Sequence, residues 1–367
     1  MLLRELGAPR PYAESGPLSV VELDLDEPTA GELLVRVEAA GVCHSDLSVV
    51  DGSRPRPVPM ALGHEAAGVV EAVGAGVLDV SVGDRVVMVF VPSCGSCPEC
   101  SGGHPALCRR GAASNVAGEL LRGGRRLSLD GEPVHHHLGV SAFSTHVVVD
   151  RGSCVVVPHE VPGEVAALFG CALLTGVGAV QTTAQVRPGD SVTVFGLGGV
   201  GLAAVMGAAM SADIVAVVDP IEHKRALALE VGATHAFAPG PEAIAAIREL
   251  TGGGADVAVE AVGSEQVMAD AFAATARGGT TVLVGLPHPQ RELKVPAVQV
   301  VAEARTIVGS YMGSASPQRD IPRLIGLWQQ GRLPVERLSS ARIGLDDVAA
   351  AFDRLADGEV VRTVVVP

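Results

Sequence analysis

Apolar residues in the first ninety positions fall in short runs cut by Gly, Pro and Asp, each too brief for a helix. Leu33-Leu-Val-Arg-Val-Glu-Ala, Gly68-Val-Val-Glu-Ala-Val and Asp84-Arg-Val-Val-Met-Val have strand length and strand composition, which predicts a barrel-like β domain. Residues 92–111 form a lobe rich in Cys, Gly and Pro. Residues 112–137 are polar, carry Arg125, Arg126 and three successive histidines, and read as an exposed connection.

After about residue 172 the rhythm changes. Strands are predicted at Ser191–Phe195, Ile214–Asp219, Ala236–Phe237, Asp256–Glu260, Thr280–Val284 and Thr306–Gly309. Between them lie helical segments at Val200–Met210, Glu222–Val231, Glu242–Leu250 and Glu265–Ala276. Strands alternating with helices at this spacing give an α/β fold with a doubly wound parallel sheet of the Rossmann type. The tail adds helices at Arg319–Gln330 and Leu345–Ala356 and a strand at Val360–Val366.

Composition narrows the class. The chain has 367 residues, 48% hydrophobic and only 3% aromatic, which excludes a disordered chain and predicts about two domains. A net charge of −14 argues against nucleic acid as a partner, because phosphate affinity comes from clustered Lys and Arg. The first residues, Met-Leu-Leu-Arg-Glu-Leu, are charged where an export signal needs an apolar run. Two stretches, 165–186 and 191–212, lack charge over a membrane-spanning length, but both are broken by glycines. The expectation is a cytoplasmic protein with no membrane partner.

Ser191–Phe195 runs into Gly196-Leu-Gly198-Gly199-Val200-Gly201, a G-x-G-x-x-G that opens a helix. Glycines there permit a tight turn and close approach of a pyrophosphate, which the helix N-terminus then meets with free N–H groups. Asp219 ends the next strand 21 residues after Gly198, where a carboxylate would bind a ribose and repel a 2′-phosphate, favouring NAD over NADP. The bland alternative is a turn that merely packs tightly beside a capping Asp.

Seven cysteines cannot all pair, and Cys94, Cys97, Cys100 and Cys108 crowd one loop with x₂, x₂ and x₇ spacers. Four thiolates with no open position describe a structural zinc site. An iron–sulfur cluster is the rival, weakened by the long last spacer and the missing Cys-Pro ending. Cys43, His64 and Cys171 form a scattered second set of a type known to hold catalytic zinc, although each alone reads as an ordinary core residue. Cys154 sits in an apolar run and is expected in the core.

With these motifs in order, the chain resembles the zinc-dependent medium-chain alcohol dehydrogenases over essentially its whole length. The resemblance rests on Gly41-Val-Cys-His-Ser-Asp46, Gly63-His-Glu-Ala-Ala-Gly68 with Gly74 and Val77, the four-cysteine lobe, Gly170-Cys171, the glycine turn and Val361-Arg-Thr363. It implies a GroES-like catalytic domain over 1–172, a NAD-binding Rossmann domain over 173–311 and a return to the catalytic domain over 312–367. It makes Cys43, His64 and Cys171 catalytic zinc ligands, Ser45 the acceptor of the alcohol proton, Asp46 the partner of His64, and Glu65 a carboxylate near the metal. It assigns His44 and Arg362 to the pyrophosphate, Asp219 and Lys224 to the adenosine ribose, and Val262 and Val284 to the cofactor site. Phe90, His137 and Leu138 would line the substrate pocket. Two Zn²⁺ per chain, NAD, a small alcohol or aldehyde and a homodimer are implied.

One departure stands out: Ser48 occupies the position where many relatives carry a proton-relaying histidine. Of His135, His136 and His137, one pocket ring and two surface rings are expected, since adjacent side chains diverge. The function expected is transfer of a hydride between a medium-sized apolar or aromatic alcohol and NAD. Alternatives are a formaldehyde dehydrogenase acting on a thiol adduct, with Arg54 as its one cationic anchor, a zinc-free reductase, or a non-catalytic NAD- and zinc-binding protein.

Overall fold

The computed structural model describes residues 1–367 and divides into two compact units. The first comprises Met1–Cys171, Ser316–Ile325 and Ser339–Pro367; the second comprises Ala172–Ala315 and Gly326–Leu338. The segment Gly326–Leu338 therefore clusters with the second unit, although the whole tail was expected to return to the first.

The spine of the first unit is the ten-residue strand Glu32–Gly41, whose alternating Leu33, Val35 and Val37 are buried while Arg36 is exposed. It pairs antiparallel with Glu65–Val73 along one edge and with His146–Asp150 and Arg362–Val365 along the other. Arg85–Met88 and Cys154–Val157 extend the sheet on one side and Ser339–Ile343 on the other. Its core joins Val35, Val70, Val86, Met88, Phe143 and Val149 to Phe352. Phe352 comes from the helix Val348–Ala356, which buries Val348, Ala351, Phe352 and Leu355 at i, i+3, i+4 and i+7.

Residues 112–137 are not an exposed connection. The helix Arg109–Ala117 is followed by paired strands Leu127–Leu129 and Glu132–His136, which belong to a second six-stranded sheet. The polar residues that suggested exposure satisfy one another inside the fold. Arg126 donates to both carboxylate oxygens of the fully buried Glu32 at 2.7 and 2.9 Å. Its backbone N–H donates to His136 Nε2 at 3.0 Å. His136 is accordingly buried, contrary to its expected place on the surface.

In the second unit six parallel strands take the order His235–Phe237, Ile214–Val218, Ser191–Phe195, Ala255–Glu260, Thr275–Leu283 and Thr306–Gly309. By sequence this is 3-2-1-4-5-6, the doubly wound order with its switch point beside the first strand. The uncharged stretch 191–212 resolves into that central strand and the helix Gly199–Ala209, apolar all round because it is almost wholly buried. The other stretch is the helical run Gly163–Thr183, long and apolar enough to cross a membrane by length, with 83% of its apolar window buried inside the protein. Two π-helical segments interrupt it, and the first, Phe169–Leu173, carries Cys171.

Burial, then the neighbouring Arg126 charge, holds the His136 imidazole down to about 4. The unfolded ring titrates near 6.5, so the unfolded chain binds the extra proton first as pH falls. The neutral ring's contribution is complete above pH ~6.5 and drains away towards pH 4, about 3 kcal/mol in all. Urea unfolding of wild type should lose more stability between pH 6.5 and 4 than unfolding of His136→Gln, and parallel losses in the two proteins would refute this assignment.

Candidate active site and metal centres

The strand register builds the first cluster. Gly41 lies opposite Glu65, so Cys43, just beyond one strand, and His64, just before the other, emerge at the same end. The π-helical segment supplies Cys171. One ligand atom from each of Cys43, His64 and Cys171 lies within 4.8 Å of the others, and all three residues are buried. Two sulfurs and one imidazole nitrogen fit tetrahedral Zn²⁺ with a fourth position open, and His64 Nε2 is buried with no hydrogen-bond partner in the protein. The neighbouring Cys171 thiol holds Cys43 well below the ordinary thiol range, helped against burial by Arg362 and His64, which favours the thiolate that a metal requires.

Around His64 the fold fixes the ring from three directions. Asp46 Oδ2 stands 3.0 Å from His64 Nδ1, while Asp46 Oδ1 accepts the Gly63 N–H at 3.1 Å. Gly63 has φ 96°, and a Cβ there would meet Phe143 N at 2.4 Å, so only glycine lets this loop pass. Phe90 and His137 both meet the His64 ring edge-on, with centroids 5.8 and 5.6 Å away. His137 Nε2 lies 3.3 Å from Asp46 Oδ1. Thus His136 and His137 are both buried and only His135 is part-exposed, one surface ring where two were expected. His136 faces inward from its strand, and His137 follows at the strand's end, where alternation no longer separates neighbours.

Arg362 is buried beside the same cluster, donating to the Val42 carbonyl at 3.0 Å and standing 3.4 Å from Glu65 Oε2. Burial opposes its charge, but Glu65 and the two cysteines hold the guanidinium firmly protonated. Ser45 lies on the helix His44–Val50 between the exposed His44 and the buried Asp46. Ser48 donates its hydroxyl back to the His44 carbonyl at 2.8 Å and stands 3.2 Å from that of Ser45. Its hydroxyl is thus directed at carbonyls of its own helix at the position that departs from many relatives.

The second cluster draws Cys94, Cys97, Cys100 and Cys108 together, again within 4.8 Å. The Cys97 N–H points at Cys94 Sγ (3.3 Å), and the Cys94 and Gly111 N–H groups at Cys108 Sγ (both 3.4 Å), dipoles that favour thiolates. Within the lobe Ala106 is one of few buried apolar residues apart from the cysteines, so four sulfur donors fit a structural metal that replaces a core. Cys154 belongs to neither cluster, and burial pushes its thiol up to about 12.

In the second unit the turn Gly196–Gly201 joins the central strand to its helix. A Cβ on Gly201 would lie 1.8 Å from the Gly196 carbonyl, so glycine is required for the helix to start this close. Asp219 accepts from Leu197 N–H at 2.7 Å and from Ile221 N–H at 2.9 Å, one bond to each oxygen, which leaves a lone pair on each. Lys224 is buried nearby, its amine lowered by burial against the pull of Asp219. Sequence reasoning missed Glu260. Its buried carboxylate accepts from Val262 and Gly263 N–H at 2.8 and 2.6 Å, while its own carbonyl takes the Val284 N–H at 2.9 Å. Burial raises it above the usual range for a carboxyl. Val262 in turn packs against Gly196, so Glu260 shapes the loop that borders the turn. The signal was an acid ending an otherwise apolar strand. Leu138 is buried, with φ 51°.

Residues 29–159 match the family model described as alcohol dehydrogenase GroES-like domain, and residues 199–330 match the one described as zinc-binding dehydrogenase. The chain is 40% identical over 360 residues to the NDMA-dependent alcohol dehydrogenase of Amycolatopsis methanolica, covering 96% of each. It is also 40% identical over 356 residues to the geraniol dehydrogenase of Castellaniella defragrans, covering 96% of this chain and 95% of that one. Among solved structures, benzyl alcohol dehydrogenase from Acinetobacter calcoaceticus superposes with a TM-score of 0.89 at 33% identity over 94% of each chain.

Overpacking the glycine turn gives a direct check on its role. Gly201→Ala should weaken binding of a nicotinamide dinucleotide about tenfold or more, read by quenching of protein fluorescence or enhancement of NADH emission. Unchanged affinity would mean that the dinucleotide binds elsewhere.

Proposed function

This chain belongs to the zinc-dependent medium-chain alcohol dehydrogenases, and from that premise we propose that it oxidises medium-sized apolar or aromatic alcohols to aldehydes or ketones, reversibly, with NAD. The observation that carries the reading is the buried convergence of Cys43, His64 and Cys171, three donors of the kind that hold zinc and leave a fourth position for a substrate oxygen. Zinc bound there supplies Lewis-acid polarisation of an alcohol oxygen, and the nicotinamide ring supplies the acceptor for hydride.

The chain's own residues do the rest. Ser45 Oγ takes the proton that the alcohol hydroxyl gives up, and with Ser48 turned into its helix that proton leaves towards solvent. Asp46 orients His64, and Phe90 packs beside it and contributes an apolar wall, in keeping with relatives named for geraniol and benzyl alcohol. Arg362 and Glu65 balance charge beside the thiolates. Glycines 196, 198 and 201 and the N-terminus of the helix Gly199–Ala209 receive the pyrophosphate, and Asp219 takes the ribose hydroxyls, which disfavours NADP.

Two further features support quaternary and cellular readings. The helix Ala297–Ala302 buries none of its residues and exposes Val298 and Val301, next in sequence to the edge strand Thr306–Gly309, which suits a homodimer. Six unpaired thiols arranged as ligands suit the reducing cytoplasm.

Metal analysis should give two zincs per chain in wild type and one in Cys43→Ala, which should keep its fold and lose turnover. One metal or none in wild type would overturn the two-centre reading. Turnover should be measured over apolar and aromatic alcohols, and over formaldehyde with a low-molecular-weight thiol. NAD, NADP and NDMA serve as separate acceptors, the last because one relative is named for it. Apolar or aromatic alcohols with NAD should be preferred, and Asp219→Gly should narrow the gap to NADP. Preference for NADP, turnover with NDMA alone, or turnover only of the thiol adduct would each sink the corresponding part of the proposal.

A further inference from the structure

Asp46, His64 and His137 form a buried group of their own, with residue exposures of 0%, 1% and 1%. The carboxylate sits between two imidazoles: Oδ2 is 3.0 Å from His64 Nδ1, and Oδ1 is 3.3 Å from His137 Nε2. Only the Gly63 N–H adds a backbone donor to that carboxylate. The His137 ring also stands edge-on to the His64 ring, at 77°. Both of its ring nitrogens are buried, and Nε2 is the one with a carboxylate oxygen within reach, so Nε2 is the nitrogen that the fold puts to use. A ring that met only the acceptor Asp46 through an unprotonated nitrogen would set two lone pairs against each other, which fixes the proton on Nε2.

We infer that His137 is a positioning residue rather than only a wall of the substrate pocket: through Asp46 Oδ1 and through the face of the His64 ring it holds His64 in the orientation in which that imidazole ligates the catalytic metal. The Gly63 N–H is the one backbone group that meets the carboxylate, so with His137 removed a single fixed donor is left to hold it against rotation about χ2 while it faces His64. A side chain that fills the slot but offers no N–H leaves Oδ1 half satisfied and frees the carboxylate to turn. His64 then loses its fixed partner. Outer-shell partners of this kind set metal affinity at the ten- to hundredfold level.

The inference rests on the catalytic zinc set proposed above, and the test separates the two. Wild type, His137→Phe and His137→Gln are loaded with zinc, and release to a strong chelator is followed for both metals. The phenyl ring keeps the packing and removes the N–H, whereas the glutamine amide nitrogen reaches about where Nε2 lies. His137→Phe should release the catalytic metal about tenfold faster than wild type, and His137→Gln should stay within about threefold of it. The metal of the four-cysteine lobe should leave at the wild-type rate in all three, which a general loosening of the fold would not allow. With cobalt in the catalytic site, the visible absorption bands should shift in His137→Phe and return in His137→Gln. Should the phenyl ring not be accommodated, His137→Asn, whose amide stops short of Asp46, takes its place in the comparison. Two metals in wild type with unchanged release and an unchanged cobalt spectrum in His137→Phe, or a glutamine variant as defective as the phenylalanine one, would overturn the role of His137. A single metal in wild type would instead remove the catalytic set itself.

Discussion

Gly41 pairs with Glu65 on one side and with Val364 on the other, and this local register governs the first unit's chemistry. It sets Cys43, His64 and Arg362 at the same end of three adjacent strands, although Arg362 lies about three hundred residues further along the sequence than the other two. A shift of one residue in either pairing would turn each side chain to the opposite face. The hydrophobic alternation of Leu33, Val35 and Val37 resists such a slip, because it would expose all three at once. The convergence of Cys43 and His64 is thus underwritten by the burial of valines and leucines elsewhere on the same strand.

Charge is buried throughout the chain, and each instance is compensated differently. Glu32 meets Arg126 through a two-point ion pair, and Glu260 is held by backbone N–H groups alone. Arg362 faces Glu65 and two cysteines, so the catalytic cluster gathers several charges of both signs in one dry region. Arrangements of that sort contribute little net stability, and removing a single partner is costly because it leaves the other desolvated. The benefit lies in preorganisation: ligands and their supports are already oriented before a metal or substrate arrives.

Much of this was legible in the sequence. The alternation of strand and helix after residue 172 announced the parallel sheet, and the spacing of the four cysteines announced their convergence, because both signals are local. The catalytic set was legible only through resemblance, since no local pattern says that residues 43, 64 and 171 meet. The misreadings share a cause. Residues 112–137 and His136 looked exposed because polarity was taken as a sign of solvent, whereas Arg126, Glu32 and His136 solvate one another. The link from His137 to Asp46 was not legible because it joins residues 91 positions apart. Glu260 went unnoticed because its partners are backbone groups, which carry no signature in a sequence.

The strand Arg362–Val365 lies inside the first unit's sheet, between Glu32–Gly41 and Ser339–Ile343. A ribosome delivers it more than three hundred residues after the strand it must join. All residues of the second unit emerge in the interval. Without that strand the first unit's sheet lacks the neighbour of Glu32–Gly41 on one edge, and Glu65 lacks the Arg362 guanidinium. The Arg362 side chain thus depends on a strand pairing of very long sequence separation, the kind of contact that forms late because the intervening chain must be ordered first.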